Sequence, residues 1–277
     1  MMLAEALAKC VNVSVALALR RRQNRTRMRP ADRTIDLNVD VGEGYHSDAE
    51  LMTLATSVNV GSSAYGGSRK STRSALYKAA EQGCRIGAHV GYPDPESFGR
   101  RSLRIGLDGL HRSLLEQLGN IRQLAREVGL DEPYDYLKPH GALYHDCTHY
   151  PDVANVVARV SIQAGVPVLA DGRGHLYRWA RAKGMGYAEG FAARRYLPTG
   201  DLLPRSEPGC VFTHVDSVAR QGVRLAMGAG VVTTVGVLDI PVPDSISIQG
   251  ELPHAVGMAR ALKYSLEKLR IGLRAFL

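Results

Sequence analysis

Seven short β-branched runs, separated by longer amphipathic stretches, limit what this sequence can fold into. The runs are TIDLNVDVG (34–42), SVNVG (57–61), CRIGAHVG (84–91), YDYLKPHG (134–141), VPVLADG (166–172), GYAEGFA (186–192) and SISIQG (245–250). Between most of them lie helical patterns. SRKSTRSALYKAAEQG starts on Ser and stops on Gly, as helix capping predicts. LDGLHRSLLEQLGNIRQLAREVG places Leu110, Leu114, Leu118, Ile121 and Leu124 on one face, and HAVGMARALKYSLEKLR repeats that spacing near the C-terminus. Alternating strand and helix implies parallel strands joined by right-handed crossovers. Seven such units without tandem dinucleotide-binding halves predict an α/β fold closed into a barrel. Residues 193–244, broken by Pro198, Pro204, Pro208, Pro241 and Pro243, read as a long loop plus one helix. Nothing divides residues 34–277, which are expected to form a single domain.

In a parallel barrel the site lies at the C-terminal ends of the strands, and the unusual polar residues of this chain fall there. On the first strand Asp36, Asn38 and Asp40 alternate, so their side chains share one face, and Glu43 follows in the turn. Buried carboxylates must be hydrogen-bonded, paired or neutralised. The third strand ends on His89, followed by Tyr92 and Asp94. The fourth carries Lys138 and His140, with Tyr144 just beyond. An ammonium in a core needs a partner, and the carboxylates of the first strand are the expected ones. The sixth strand supplies Glu189, followed by Arg194 and Arg195, and the seventh supplies Gln249 and Glu251. The remaining histidines (His46, His111, His145, His149, His175, His214, His254) read as surface or loop residues. The Gly-rich YGGS (65–68) opens a helix whose free amides are a weak candidate for anion binding. No phosphate loop of the G-x-x-x-x-G-K-[ST] type, H-E-x-x-H helix or G-x-S-x-G elbow is present.

Charge narrows the class further. The net charge is +8, and residues 1–33 hold eight Lys/Arg against Glu5 and Asp32, which accounts for +6 of it. A nucleic-acid-binding surface would need that charge on the folded domain, so none is expected. In the N-terminal stretch an apolar run precedes the Arg cluster, the reverse of a secretory signal. It reads as a disordered or helical extension upstream of Met28 as the functional start, with a transit-like peptide or membrane-surface helix as the alternative. No later run is long and apolar enough for a membrane span. Cys10, Cys84, Cys147 and Cys210 are scattered, without a C-x-x-C pair, which predicts reduced thiols in a cytoplasmic setting.

Taken in order, IDLNVDVGEGY, IGAHVGYPDPESFGRRSL, LKPHGALYH and RRYLPTGDLLPRSEPG resemble the LamB/YcsF family, the A components of ATP-hydrolysing 5-oxoprolinase. The resemblance runs from residue 34 to about residue 270. It implies a seven-stranded (β/α) barrel of the glycoside hydrolase/deacetylase type. It also implies ATP as co-substrate, 5-oxo-L-proline or a related cyclic amide as substrate, and companion subunits B and C. On this reading Asp40, Glu43, His89 and His140 are the catalytic candidates. Asn38, Asn59, Tyr92, Lys138, Tyr144, Glu189 and Arg194 are the substrate-binding ones, and no metal ligands are assigned. Where the family carries Cys, His and Asp in the loop after its second strand, this chain has Ser62, Tyr65 and Ser68. Further Asp, His and Asp positions are Ala193, Gln249 and Glu251. Except at Tyr65 and Glu251 these exchanges put a neutral group where a titratable one stood, so SVNVGSSAYGGS (57–68), with Tyr65 its one titratable side chain, looks chemically quiet. They keep two other readings open. One is a barrel that binds without catalysis. The other, by fold analogy alone, is a metal-dependent deacetylase using Asp40, His89 and His140.

Overall fold

The computed structural model describes residues 33–277; the N-terminal extension expected over residues 1–33 lies outside the described residues, apart from Arg33. Six strands come first: β1 (Thr34–Val41), β2 (Ser57–Gly61), β3 (Arg85–Val90), β4 (Tyr136–Pro139), β5 (Val168–Asp171) and β6 (Gly186–Phe191). A hairpin of β7 (Val231–Thr233) and β8 (Gly236–Leu238) follows, then β9 (Ser245–Ile248) and β10 (Gly272–Leu273). β1 to β6 and β9 are joined in that order by parallel pairing, and β9 returns to β1, which closes a seven-stranded barrel. Every strand expected from the sequence is present, its ends trimmed only slightly.

Among the described residues, eight helices surround the barrel: α1 (Asp48–Met52), α2 (Arg69–Glu81), α3 (Leu107–Glu127), α4 (Gly141–His149), α5 (Pro151–Ala164), α6 (His175–Ala182), α7 (Val215–Met227) and α8 (Ala255–Lys268). The periodic leucines of α3 and Ile121 are buried, as their spacing requires. The pleat sorts side chains between two environments. Leu37, Val39, Val41, Val58, Val60, Ile86, Ala88 and Val90 join the apolar layer under the helices. Their alternates, Asp36, Asn38, Asp40, Ser57, Asn59, His89 and Lys138, are buried polar residues, and by the same alternation they fill the barrel.

That polar interior is built in tiers. At the lowest, the Asp36 carboxylate accepts hydrogen bonds from Thr56 and Ser57, both 2.6 Å, and from Ser245. Next, Asn59 Nδ2 donates to Asn38 Oδ1 at 2.6 Å, while Asn38 Nδ2 donates to Ser245 Oγ at 2.7 Å. Tyr136 lies across this tier and donates to Asn59 Oδ1 at 2.8 Å. Beyond the strands, Phe276 packs between Tyr136 and Tyr187, with centroids 5.0 and 4.8 Å away.

The segment 193–244, expected as a loop with one helix, holds that helix as α7 but also the hairpin at 231–238. The two hairpin strands have three residues each, too short for alternation to register in a sequence.

The Tyr136 ring can cross the barrel because Gly87 faces it without a side chain. A Cβ at Gly87 would overlap the ring. Gly87→Ala is therefore expected to cost about 1–3 kcal/mol through overpacking, read as a lower midpoint in urea unfolding. An unchanged midpoint would place the ring elsewhere.

Candidate active site

The third tier is where the strands end, and it is charged. Lys138, 2% exposed, puts its Nζ 2.8 Å from Asp40 Oδ1 and 2.7 Å from Glu189 Oε1. It also reaches Asn38 Oδ1 at 3.4 Å and Ser247 Oγ at 3.5 Å. Asn59 Nδ2 donates to the same Asp40 oxygen at 2.8 Å. Burial alone would raise the Asp40 pKa, but the charge and hydrogen bond of the Lys138 ammonium hold it well below the usual carboxylate range. Burial likewise opposes charge on Lys138, and Asp40 and Glu189 outweigh it, so the ammonium persists. Glu189 is pushed up by burial, with Lys138 acting against the rise.

Next to this cluster lie the two imidazoles. His89 Nδ1 sits 3.1 Å from the Lys138 carbonyl, and His140 Nε2 sits 2.9 Å from the Phe98 carbonyl. Their other nitrogens, His89 Nε2 and His140 Nδ1, are 3.1 Å apart. Glu43 Oε1 is 3.3 Å from His140 Nδ1 and 3.7 Å from His89 Nε2. Burial pushes His89 and His140 down to about 3, so both rings are neutral near pH 7. Burial, then the charges of Asp40 and Glu251, raises the Glu43 carboxyl well above its ordinary value.

The SVNVGSSAYGGS loop is not a spectator. Tyr65 is fully buried, stacks on His140 at 3.8 Å with an interplanar angle of 10°, and places its hydroxyl 3.2 Å from Glu43 Oε1. Ser62 donates to Gln117 Oε1 at 2.7 Å, and Gln117 also clamps Gly91 through its amide N–H and carbonyl. That glutamine, from α3, ties the loops after β2 and β3 together beneath the site. The expected anion site at YGGS is filled from within. Ser68 Oγ accepts from the Ser71 amide at 3.1 Å, and Ser71 Oγ accepts from the Ser68 amide at 2.8 Å, a capping box that occupies two of the helix's free donors.

A cavity of about 340 Å³ opens above the cluster. Asp40, His89, Lys138, His140, Tyr144 and Arg194 line it, so six of the eleven candidates meet at one mouth. Asn38, Asn59, Glu43 and Glu189 stand behind these, in contact with them. Tyr92 is the exception. It is buried, does not line the cavity, and donates its hydroxyl to Asp146 Oδ2 at 2.8 Å. The resemblance reading gives it a binding role, but the turn after β3 aims the ring at α4 instead.

Sequence reasoning missed several cavity residues. Arg100 and Arg205 flank the opening and share Glu251, at 2.9 and 2.5 Å. Arg194 lines the same cavity, which brings three guanidinium groups to its lining. Arg194 itself has backbone acceptors, the carbonyls of Leu203 at 2.6 Å and Cys210 at 3.4 Å. Burial, helped by Arg205, lowers it to about 10, so it stays charged. His145 and His149, read from the sequence as surface residues, also line the cavity, and His149 pairs with Asp201 at 3.3 Å. Arg100 and Arg205 lie in loops, where neither strand nor helix periodicity marks a direction. Cys84, Cys147 and Cys210 are free and buried, and among the described residues no helix is long and apolar enough to cross a membrane.

The chain matches the family model described as LamB/YcsF over residues 35–277. It is 36% identical over 235 residues to a protein of Neisseria meningitidis serogroup C named as the A component of 5-oxoprolinase, covering 84% of this chain and 95% of that one. The Streptomyces coelicolor protein of the same name is 36% identical over 250 residues, covering 87% and 99%. Among solved structures, the lactam utilization protein of Thermus thermophilus superposes with a TM-score of 0.78 at 31% identity, covering 87% of this chain and 99% of that one.

Removing the buried ammonium leaves two carboxylates facing each other without a counter-charge. Lys138→Ala is expected to lose about 3–5 kcal/mol of stability, measured by urea unfolding. A loss below about 1 kcal/mol would mean that the ammonium is not what neutralises Asp40 and Glu189.

Proposed function

We propose, because the chain belongs to the LamB/YcsF family, that it is the A component of an ATP-dependent 5-oxoprolinase, opening the lactam of 5-oxo-L-proline to L-glutamate with companion subunits B and C. The observation that carries this reading is the arrangement of the cavity. A cationic rim of Arg100, Arg194 and Arg205 stands over a floor of Lys138, Asp40 and two neutral imidazoles. A small cyclic amide with one carboxylate matches both halves. The names of relatives that this chain covers almost end to end support the same substrate class.

The chemistry follows from the poor electrophilicity of an amide. The lactam oxygen takes the γ-phosphoryl group of ATP and ADP departs. Water then adds to the activated carbon and the ring nitrogen leaves with a proton, giving an acyl phosphate. A second water releases phosphate and L-glutamate. In this chain Arg194 holds the substrate carboxylate through charge-assisted hydrogen bonds. Lys138 stands by the oxygen on which negative charge develops. The group formed by Glu43, His89 and His140 orients the attacking water, with Tyr65 fixing His140 by stacking and Glu43 by its hydroxyl. Asp40 keeps Lys138 charged and in place.

The test is release of L-glutamate from 5-oxo-L-proline and ATP by the purified chain, with and without subunits B and C. Turnover is expected only with the companions. His140→Ala is expected to lower kcat by at least about 100-fold while the cavity still binds 5-oxo-L-proline. Wild-type turnover by that variant would remove His140 from the mechanism. Binding of 5-oxo-L-proline without any glutamate release by the complete complex would instead identify a component that binds without catalysing.

A further inference from the structure

The two imidazoles and Glu43 present a problem of hydrogen-bond accounting. A backbone carbonyl only accepts. His89 Nδ1, against the Lys138 carbonyl, and His140 Nε2, against the Phe98 carbonyl, therefore each carry the ring hydrogen. In a neutral ring the other nitrogen is then a bare lone pair. Those lone pairs, on His89 Nε2 and His140 Nδ1, face each other at 3.1 Å.

Glu43 Oε1 adds a third acceptor, 3.7 Å from His89 Nε2 and 3.3 Å from His140 Nδ1. The Tyr65 hydroxyl has one hydrogen to divide between Glu43 Oε1 at 3.2 Å and the His89 carbonyl at 3.3 Å. Glu43 Oε2 has no hydrogen-bond partner. All three residues are more than nine-tenths buried, and their ligand atoms lie within 4.8 Å of one another. A single proton could join the two imidazoles, and Glu43 Oε1 would then have only the Tyr65 hydrogen, which the His89 carbonyl also draws on, while Glu43 Oε2 would still have no donor.

We propose that Glu43, His89 and His140 bind one divalent transition-metal ion. The spacing fits. Donor atoms about 2.1 Å from a tetrahedral centre stand about 3.4 Å apart, and the observed separations of 3.1, 3.3 and 3.7 Å bracket that value. The surroundings fit as well, because each imidazole is already oriented by a carbonyl on its far nitrogen, the usual outer support of a metal-bound histidine. Two nitrogens and one carboxylate oxygen select Zn²⁺ or a neighbouring first-row ion over Mg²⁺ and Ca²⁺, which favour all-oxygen sites. The cavity beside His89 and His140 leaves room for a water or a substrate oxygen as a further ligand. Glu43 thus takes the place given to Asp40 in the deacetylase analogy, because Asp40 is committed to Lys138. The proposal does not depend on which cyclic amide is the substrate.

The test is metal binding by the tag-free chain after treatment with a chelator, without ATP or companion proteins, so its failure is distinct from failure of the lactam reading. Isothermal titration with Zn²⁺ is expected to give one ion per chain with a Kd below about 1 μM, and Co²⁺ to show the visible absorption of a low-coordinate ion. Mg²⁺ is expected to give no heat. His89→Ala and His140→Ala are each expected to weaken Zn²⁺ binding by at least about 100-fold. A His145→Ala/His149→Ala variant is expected to retain it. Glu43→Gln, which keeps the side-chain volume, stands in should either alanine variant fail to fold. A wild-type chain that binds no Zn²⁺ more tightly than about 100 μM would overturn the site, as would wild-type affinity in His89→Ala, His140→Ala or Glu43→Gln.

Discussion

An ammonium group held between two carboxylates inside a barrel is the interaction on which the rest of this structure depends. Lys138 reaches Asp40 from β1 and Glu189 from β6, so one side chain ties three strands together at the level where the site begins. Charges in such a place cost more than they return unless every partner is satisfied. For Asp40 the tiers beneath provide that satisfaction. Asn59 donates to Asp40, Asn38 accepts from both Asn59 and Lys138, and Tyr136 closes the set from across the barrel. Parallel barrels commonly fill their interior with branched apolar side chains. This one fills much of it with hydrogen bonds, which fix direction as well as volume. The functional groups at the top are therefore positioned by a scaffold that is polar along its length.

Two electrostatic environments then stand side by side. Around Lys138 the charges are compensated and remain charges. Around His89 and His140 burial dominates and the rings are neutral. A floor that offers a fixed cation beside neutral lone pairs can stabilise developing negative charge at one point and hold a nucleophile at another. The arginines at the rim extend the positive field outward. Glu251 pairs with Arg100 and Arg205 but not with Arg194, which leaves an excess of cationic groups for an anionic ligand.

Much of this was legible in the sequence because strand alternation carries information about direction. Asp36, Asn38 and Asp40 on one face, and Lys138 two residues before His140, foretold a charged barrel mouth, and a first-strand carboxylate as partner of Lys138 followed from the need to neutralise an ammonium in a core; the fold makes it Asp40 and adds Glu189. Loops carry no such signal. Arg100 and Arg205 enter the cavity from irregular segments, and Tyr92 leaves it because a turn redirects the chain toward Asp146. The tasks of the loop after β2 are not legible in the sequence for a related reason. Replacing titratable groups by Ser62, Tyr65 and Ser68 looked like withdrawal from the chemistry. In the fold each finds a structural task, with Tyr65 packed under His140, Ser62 on Gln117 and Ser68 capping α2.

The most direct measurement is a crystal structure of the chain grown with 5-oxo-L-proline. The account predicts the ring in the cavity, its carboxylate on Arg194 and its amide oxygen toward Lys138, with Lys138 still bridging Asp40 and Glu189. A ligand bound elsewhere, or a Lys138 side chain turned away from both carboxylates, would contradict it.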